Sequence, residues 1–111
     1  MIKLSHRAGY ERPADCNGCG SGWSTKVVPD TIYLLDISDV CCIHDDRYEH
    51  GTTIADKEEG DREFLNNLLR KIDANDSWYY PTKLARIRAV DYYSAVKDYG
   101  GPAFWDGKEQ K

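Results

Sequence analysis

A chain of 111 residues that is 41% hydrophobic and 31% charged has the composition of one small globular domain, not of a disordered chain. Its net charge of −4 is the opposite of the basic surface with which proteins bind nucleic acid. The sequence has no apolar run of signal-peptide length at its start, and no stretch near the roughly 20 apolar residues of a membrane helix. We expect a domain that does not bind nucleic acid and that acts in the cytoplasm, is released by lysis or belongs to a viral particle.

The first third of the chain, residues 1–35, is predicted to form loops with little regular structure. Five residues that interrupt helices and strands lie in it, namely Pro13, Gly18, Gly20, Gly22 and Pro29. The first helix follows over about 37–50. Its start can be capped by Asp36, Ser38 or Asp39. Gly51 can end it by adopting the left-handed conformation.

A second helix is predicted over about 54–72, because apolar residues and one aspartate recur there at helical spacing along a single face. The inward residues are Ile54, Asp61, Phe64, Leu65, Leu68 and Ile72. The charged residues between them, including Lys57, are expected to face solvent.

A third helix is predicted to begin near Pro81, since proline suits the first turn, and to stop at Gly100–Gly101. Its inward residues are expected to be Leu84, Ile87, Val90 and Ala95. The tail from Pro102 is expected to be irregular. The prediction for residues 1–111 is therefore one mainly α domain, with an N-terminal loop, an antiparallel helix hairpin and a third helix.

The first helix carries an unusual set of side chains in the stretch DVCCIHDDRYEHG. Cys41, His44 and Tyr48 lie at helical spacing on one face, whereas Asp45 lies about 100° around the helix from His44. One helix thus presents an imidazole and a carboxylate toward different targets. That arrangement suits a base that works beside a metal ion.

The second helix offers a partner for His44. Asp61 lies as far beyond the turn as His44 lies before it, and antiparallel helices rise equally per residue, so the two should be level. A carboxylate on an apolar face is costly unless it is paired, and Gly60 eases close approach by the neighbouring helix. We therefore predict a buried His44–Asp61 contact, which fixes the imidazole tautomer and favours its protonated form. The hairpin alone fits a purely structural pair equally well.

The stretch CNGCGSGW adds a loop in which Gly18, Gly20 and Gly22 alternate, so that backbone carbonyls can converge without obstruction by side chains. Calcium takes 6–8 oxygen ligands, commonly a carboxylate with carbonyls and waters. The three carbonyls and Asp45 would supply most of such a shell.

GCGSG, followed by CCIHDDRY and GDREFLNNL, resembles the calcium-dependent phospholipase A2 superfamily, and most of all its compact bacterial, phage-borne and parvoviral-capsid branch. The resemblance covers about 16–72. It implies a calcium ion bound by the carbonyls of Gly18, Gly20 and Gly22 and by Asp45. It also implies a phospholipid substrate, presented at a membrane surface, that is hydrolysed at its sn-2 ester.

The resemblance assigns a role to each of the other residues. His44 takes a proton from the water that attacks the ester, Asp61 orients the imidazole, and Tyr48 donates a hydrogen bond to Asp61. A disulfide between Cys19 and Cys41 is implied as well, which leaves Cys16 and Cys42 unassigned.

Two of the departures from the larger secreted members bear on the site. Only Ile43 stands between the paired cysteines and His44, where those members keep two residues. Their orienting aspartate lies on a later helix, which makes Asp91 an alternative to Asp61. The hairpin register and the Phe-Leu that follows favour Asp61.

Two other classes of function remain open. Cys16 and Cys19, with Cys41 or Cys42 and His44, offer ligands for a structural zinc site, although adjacent cysteines on one helix chelate a single ion poorly. Alternatively, the domain is a non-catalytic phospholipase-like binding protein, because a fold does not fix a function.

Overall fold

The computed structural model describes residues 3–14, 16, 29, 31–75 and 77–105. In this part of the chain, two short strands precede four helices: β1 (Thr31–Ile32), β2 (Leu35–Asp36), α1 (Ser38–His50), α2 (Ile54–Ala74), α3 (Thr82–Tyr99) and α4 (Gly101–Trp105). The predicted mainly α domain with a helix hairpin and a third helix is confirmed. The predicted calcium-binding loop lies outside the described residues. No helix in the described ranges has both the length and the apolar character that crossing a bilayer requires.

The strands β1 and β2 pair as an antiparallel hairpin directly before α1, in a segment that was predicted to lack regular structure. Tyr33 and Leu34 form its turn with φ angles of 46° and 72°. This left-handed conformation is normally supplied by glycine or asparagine, so turn chemistry did not reveal the hairpin. The Tyr80 hydroxyl donates to the Ile32 carbonyl at 2.8 Å and ties β1 to the connection before α3.

Helix α1 has the predicted bounds to within one residue, but its two ends are capped differently from the prediction. Its N-cap residue is Ile37, without a side-chain cap; instead, Asp36 accepts a hydrogen bond from the Ser38 amide at 2.8 Å. That bond lowers the pKa of Asp36. Gly51 is extended, with φ at −74°, so the predicted left-handed C-cap is wrong. Glycine is needed at this position because a Cβ atom would lie only 2.7 Å from Cε1 of Phe104.

Helix α2 starts with a capping box, in which Thr53 and Asp56 bond each other's backbone amides. It runs antiparallel to α1, since Lys71 pairs with Asp39 near the start of α1 and Gly60 lies against Arg47 near its end. Phe64, Leu68 and Ile72 are buried as predicted, and Leu65 packs partly buried against the core. Ile54 is instead half exposed.

The inner face of α3 is not the predicted one. Leu84, Ile87 and Val90 are 54%, 61% and 48% exposed, and Ala95 is only partly buried. The buried residues are Ala85, Ala89, Tyr92 and Val96. Two alanines on this face leave room for α3 to lie close along α2, so small residues rather than large ones mark the contact.

The chain after α3 is also more regular than predicted, because α4 occupies residues that were expected to be an irregular tail. Phe104 on α4 is fully buried, and its ring meets the Tyr48 ring edge-on at 5.2 Å between centroids. This contact closes the core at the end of the hairpin that carries His44. Of the aromatic run at 78–80, Tyr80 packs into the core, whereas Trp78 and Tyr79 are exposed.

Candidate active site

His44 on α1 and Asp61 on α2 form a buried pair. The Nε2 atom of His44 lies 2.7 Å from Oδ1 of Asp61, and the two residues are 3% and 1% exposed. The contact predicted from the hairpin register is therefore confirmed. Asp91, the alternative partner, is exposed on α3 instead.

Tyr48 lies one helical turn after His44 and contacts both residues of the pair. Its hydroxyl donates to the same Asp61 Oδ1 atom at 2.7 Å, and its ring lies 4.2 Å from the His44 ring. Burial, the charge of Asp61 and this hydrogen bond all raise the pKa of Tyr48 well above its ordinary value. Tyr48 therefore remains protonated and acts as a hydrogen-bond donor to the carboxylate.

Lys57 is a member of the site that the sequence prediction missed. It was expected to face solvent, but it is 6% exposed, and its Nζ atom lies 2.8 Å from Oδ2 of Asp61. The available signal was the spacing of four residues between Lys57 and Asp61, which places both on one helical face. The charge of Lys57 led to the prediction that it faces solvent. In the structure, its ion pair with the buried Asp61 carboxylate holds it inside the domain.

Asp61 thus accepts hydrogen bonds from three donors on two helices. Burial by itself raises the pKa of this carboxyl, but the bonds and charges of His44, Lys57 and Tyr48 outweigh burial and lower the pKa below its usual value. Asp61 is therefore ionised and can only accept. The Nε2 atom of His44 must carry the proton of their shared bond, which leaves the lone pair of the neutral ring on Nδ1.

Two glycines allow this packing. A Cβ atom on Gly60 would lie 3.2 Å from Cβ of Arg47, so glycine lets α1 and α2 approach closely one residue before Asp61. A Cβ atom on Gly100 would collide with the Tyr48 hydroxyl and the Val96 carbonyl. The role of Gly60 was predicted, but that of Gly100 depends on the way α3 ends against α1.

The surroundings of His44 favour a single ring orientation. Phe64 packs against the imidazole with 4.8 Å between ring centroids, on the opposite helix from Tyr48. Within the described residues, no hydrogen bond engages Nδ1. This nitrogen is therefore the one that can act on a water molecule or a ligand.

The predicted calcium ligands fall in two parts of the chain. Asp45 is partly buried on α1, and its carboxylate offers the hard oxygen donors that calcium takes. Gly18, Gly20 and Gly22 lie outside the described residues. The described residues contain no cluster of three or more histidine, cysteine or acidic side chains suited to a metal ion. The donor chemistry of Asp45 fits a site whose other ligands are backbone carbonyls.

The cysteines that the resemblance left unassigned are joined to each other. Cys16 and Cys42 form a disulfide across 26 residues, which fastens the N-terminal segment to α1. Neither sulfur is then a free thiolate for zinc, so the disulfide argues against the zinc module. The Cys19–Cys41 bridge stays a prediction, because Cys19 lies outside the described residues.

Comparisons with known proteins found no matching family model, no matching curated protein and no matching solved structure.

Proposed function

We propose that this protein hydrolyses a carboxyl ester of a phospholipid, of the sn-2 type, in a calcium-dependent reaction. The observation that supports the proposal most is the buried His44–Asp61 pair, which bridges an antiparallel helix hairpin and carries Tyr48 on the same carboxylate oxygen. A purely structural pair would need neither an Nδ1 lone pair that the described residues leave available nor a neighbouring carboxylate such as Asp45.

The chain's own groups supply the proton transfer. Nδ1 of His44 takes the proton from the attacking water, and the ring then carries a positive charge. Asp61 stabilises that charge through Nε2 and holds the ring in place. Tyr48 fixes the direction of Asp61, because burial raises the pKa of Tyr48 and so keeps its hydroxyl a hydrogen-bond donor.

Asp45 and the carbonyls of Gly18, Gly20 and Gly22 are the residues that would hold the calcium ion. When bound, calcium polarises the ester carbonyl and neutralises the charge that develops on its oxygen. The resemblance implies that the backbone amide of Gly20 is a second hydrogen-bond donor to that oxygen. Losing one such donor typically lowers the rate about 100- to 1000-fold.

The test is fatty-acid release from mixed phospholipid micelles, measured in calcium and in excess chelator. We expect release in calcium only, and its loss in His44→Gln. His50→Gln is the matched control, because His50 is exposed on the same helix. Equal rates with and without chelator, or full activity in His44→Gln, would refute the proposal.

One observation favours a second candidate, a non-catalytic protein that binds phospholipid. The side chain of His44 is 3% exposed, and a general base must be reached by water. Binding of the micelles by the wild type, without turnover of any phospholipid, would support this candidate.

A further inference from the structure

Lys57 makes an unusually complete set of contacts for a lysine inside a small domain. Its ammonium group bonds Asp61 Oδ2 at 2.8 Å, the Lys97 carbonyl at 3.2 Å and the Val96 carbonyl at 3.4 Å. A lysine is almost never buried unless it is paired, and here all three of its donors have acceptors. Such a group is held in one position.

The two carbonyls belong to the last turn of α3, where helix carbonyls carry partial negative charge. Lys57 therefore joins α2 to the end of α3, with Asp61 between this ammonium group and α1. Because Oδ2 faces Lys57 and Oδ1 faces His44, the carboxylate plane is held from both sides. Rotation of Asp61 would break bonds to both of these partners.

The charge of Lys57 matters as well as its position. Without it, the buried Asp61 carboxylate would keep only His44 and Tyr48 as partners, both on Oδ1, and Oδ2 would lose its donor among the described residues. A buried charge that loses its ion-pair partner is costly, so the carboxylate would turn toward another donor and the His44 ring would lose its fixed position.

The charged and titratable groups around this pair come from three helices. From α1 they are His44, Tyr48 and Asp45; from α2, Lys57, Glu58 and Arg62; and from α3, Tyr93 and Lys97. Those on α2 and α3 line a groove of about 370 Å³ that reaches Asp61. Of the described cations that line this groove, only Lys57 bonds the carboxylate.

We propose that Lys57 is a positioning residue, which acts through Asp61 to hold the imidazole of His44 in its base-competent orientation. This inference rests on the proposed function, but it also predicts a change in the ring that needs no turnover to be seen. Lys57 itself contacts neither substrate nor water in this mechanism.

The experiment compares wild type with Lys57→Met, Lys57→Gln and Lys71→Met. Lys57→Gln keeps hydrogen-bond donors without charge, and serves if Lys57→Met does not fold. Lys71→Met is the matched control, because it removes another lysine ion pair of α2, the one with Asp39. Two readouts are taken at one fixed pH: kcat and KM of phospholipid hydrolysis, and the NMR signal of the His44 Nε2–H group that bonds Asp61.

In both Lys57 variants, we expect kcat to fall about tenfold or more with KM unchanged, because the ring loses its orientation while substrate contacts are kept. NMR should show the His44 Nε2–H signal of wild type shifted or broadened in the Lys57 variants, whereas Lys71→Met should match wild type in both readouts. An Nε2–H signal in the Lys57 variants that matches wild type would overturn the inference, even if wild type hydrolyses phospholipid. If wild type hydrolyses none, the proposed function fails, and the NMR result still decides the role of Lys57.

Discussion

Gly60 on α2 lies directly against Arg47 on α1, so that a methyl group added to Gly60 would come within 3.2 Å of the Arg47 Cβ atom. This contact sits one residue before Asp61. Tight contact at this point brings the Asp61 carboxylate within hydrogen-bond distance of His44. The spacing of the two helices and the geometry of the candidate site are therefore set together.

Gly60→Ala should separate His44 from Asp61 without unfolding the protein. Alanine favours a helix interior by about 1 kcal/mol over glycine, and this gain offsets the cost of moving Arg47 by a few tenths of an ångström. We expect the free energy of unfolding to change by less than about 1 kcal/mol while phospholipid hydrolysis falls severalfold. Gly101→Ala is the control, because its Cβ atom would meet nothing within 4 Å. Equal activity in both variants would contradict the prediction.

Asp61→Asn and Asp91→Asn should differ sharply in activity. Asp61 holds the His44 ring, and the same substitution of the carboxylate that orients the histidine of a Ser-His-Asp triad lowers kcat about 10⁴-fold. Asp91 is exposed on α3, so its variant should retain wild-type turnover. Both rates are measured by fatty-acid release in calcium. Loss of activity in Asp91→Asn alone would reverse the assignment of the orienting carboxylate.

Tyr48→Phe should lower both stability and activity, whereas Tyr80→Phe should lower stability only. Tyr48→Phe removes the buried hydrogen bond to Asp61 at 2.7 Å and a longer one to the Val96 carbonyl at 3.4 Å. Tyr80→Phe removes the buried hydrogen bond to the Ile32 carbonyl. Such a bond contributes about 1 kcal/mol to the free energy of unfolding, measured in urea. Only Tyr48→Phe loosens the carboxylate beside His44. If hydrolysis declines equally in both variants, Tyr48 has no particular role in orienting Asp61.

Asp61 should make the protein sensitive to acid. Its pKa is lowered in the folded state, so its contribution to stability is complete above its unfolded pKa of about 4 and is lost as pH falls further. The contribution of Asp61 to stability is measured by urea unfolding of wild type and Asp61→Asn at a series of pH values. The difference in unfolding free energy should shrink on acidification below about pH 4. A difference that stays constant across that range would contradict the lowered pKa.

The Cys16–Cys42 disulfide should stabilise the domain by about 3 to 4 kcal/mol, the value that chain entropy gives for a closed loop spanning 26 residues. Replacing both cysteines with alanine should reduce the free energy of unfolding by that amount. A non-reducing digest checks the connectivity by mass. Recovery of Cys16 paired with any other cysteine would contradict it.

Local sequence pattern determined much of this protein. The three long helices begin and end within about two residues of the prediction, because helical periodicity and turn residues act over a few positions. The His44–Asp61 contact was predictable for the same reason, since both residues are counted from one short turn.

Only the tertiary structure decided the rest. Apolar residues line more than one face of α3, and its packing against α2 selected Ala85 and Ala89 over Leu84 and Ile87. The burial of Lys57 depends on a carboxylate of its own helix and on carbonyls 39 and 40 residues away. The pairing of Cys16 with Cys42 likewise depends on where the N-terminal segment crosses α1. Apart from Asp61, which lies four residues from Lys57, these partners are distant in the chain. Local propensity therefore does not encode the contacts, which form only when the helices pack together.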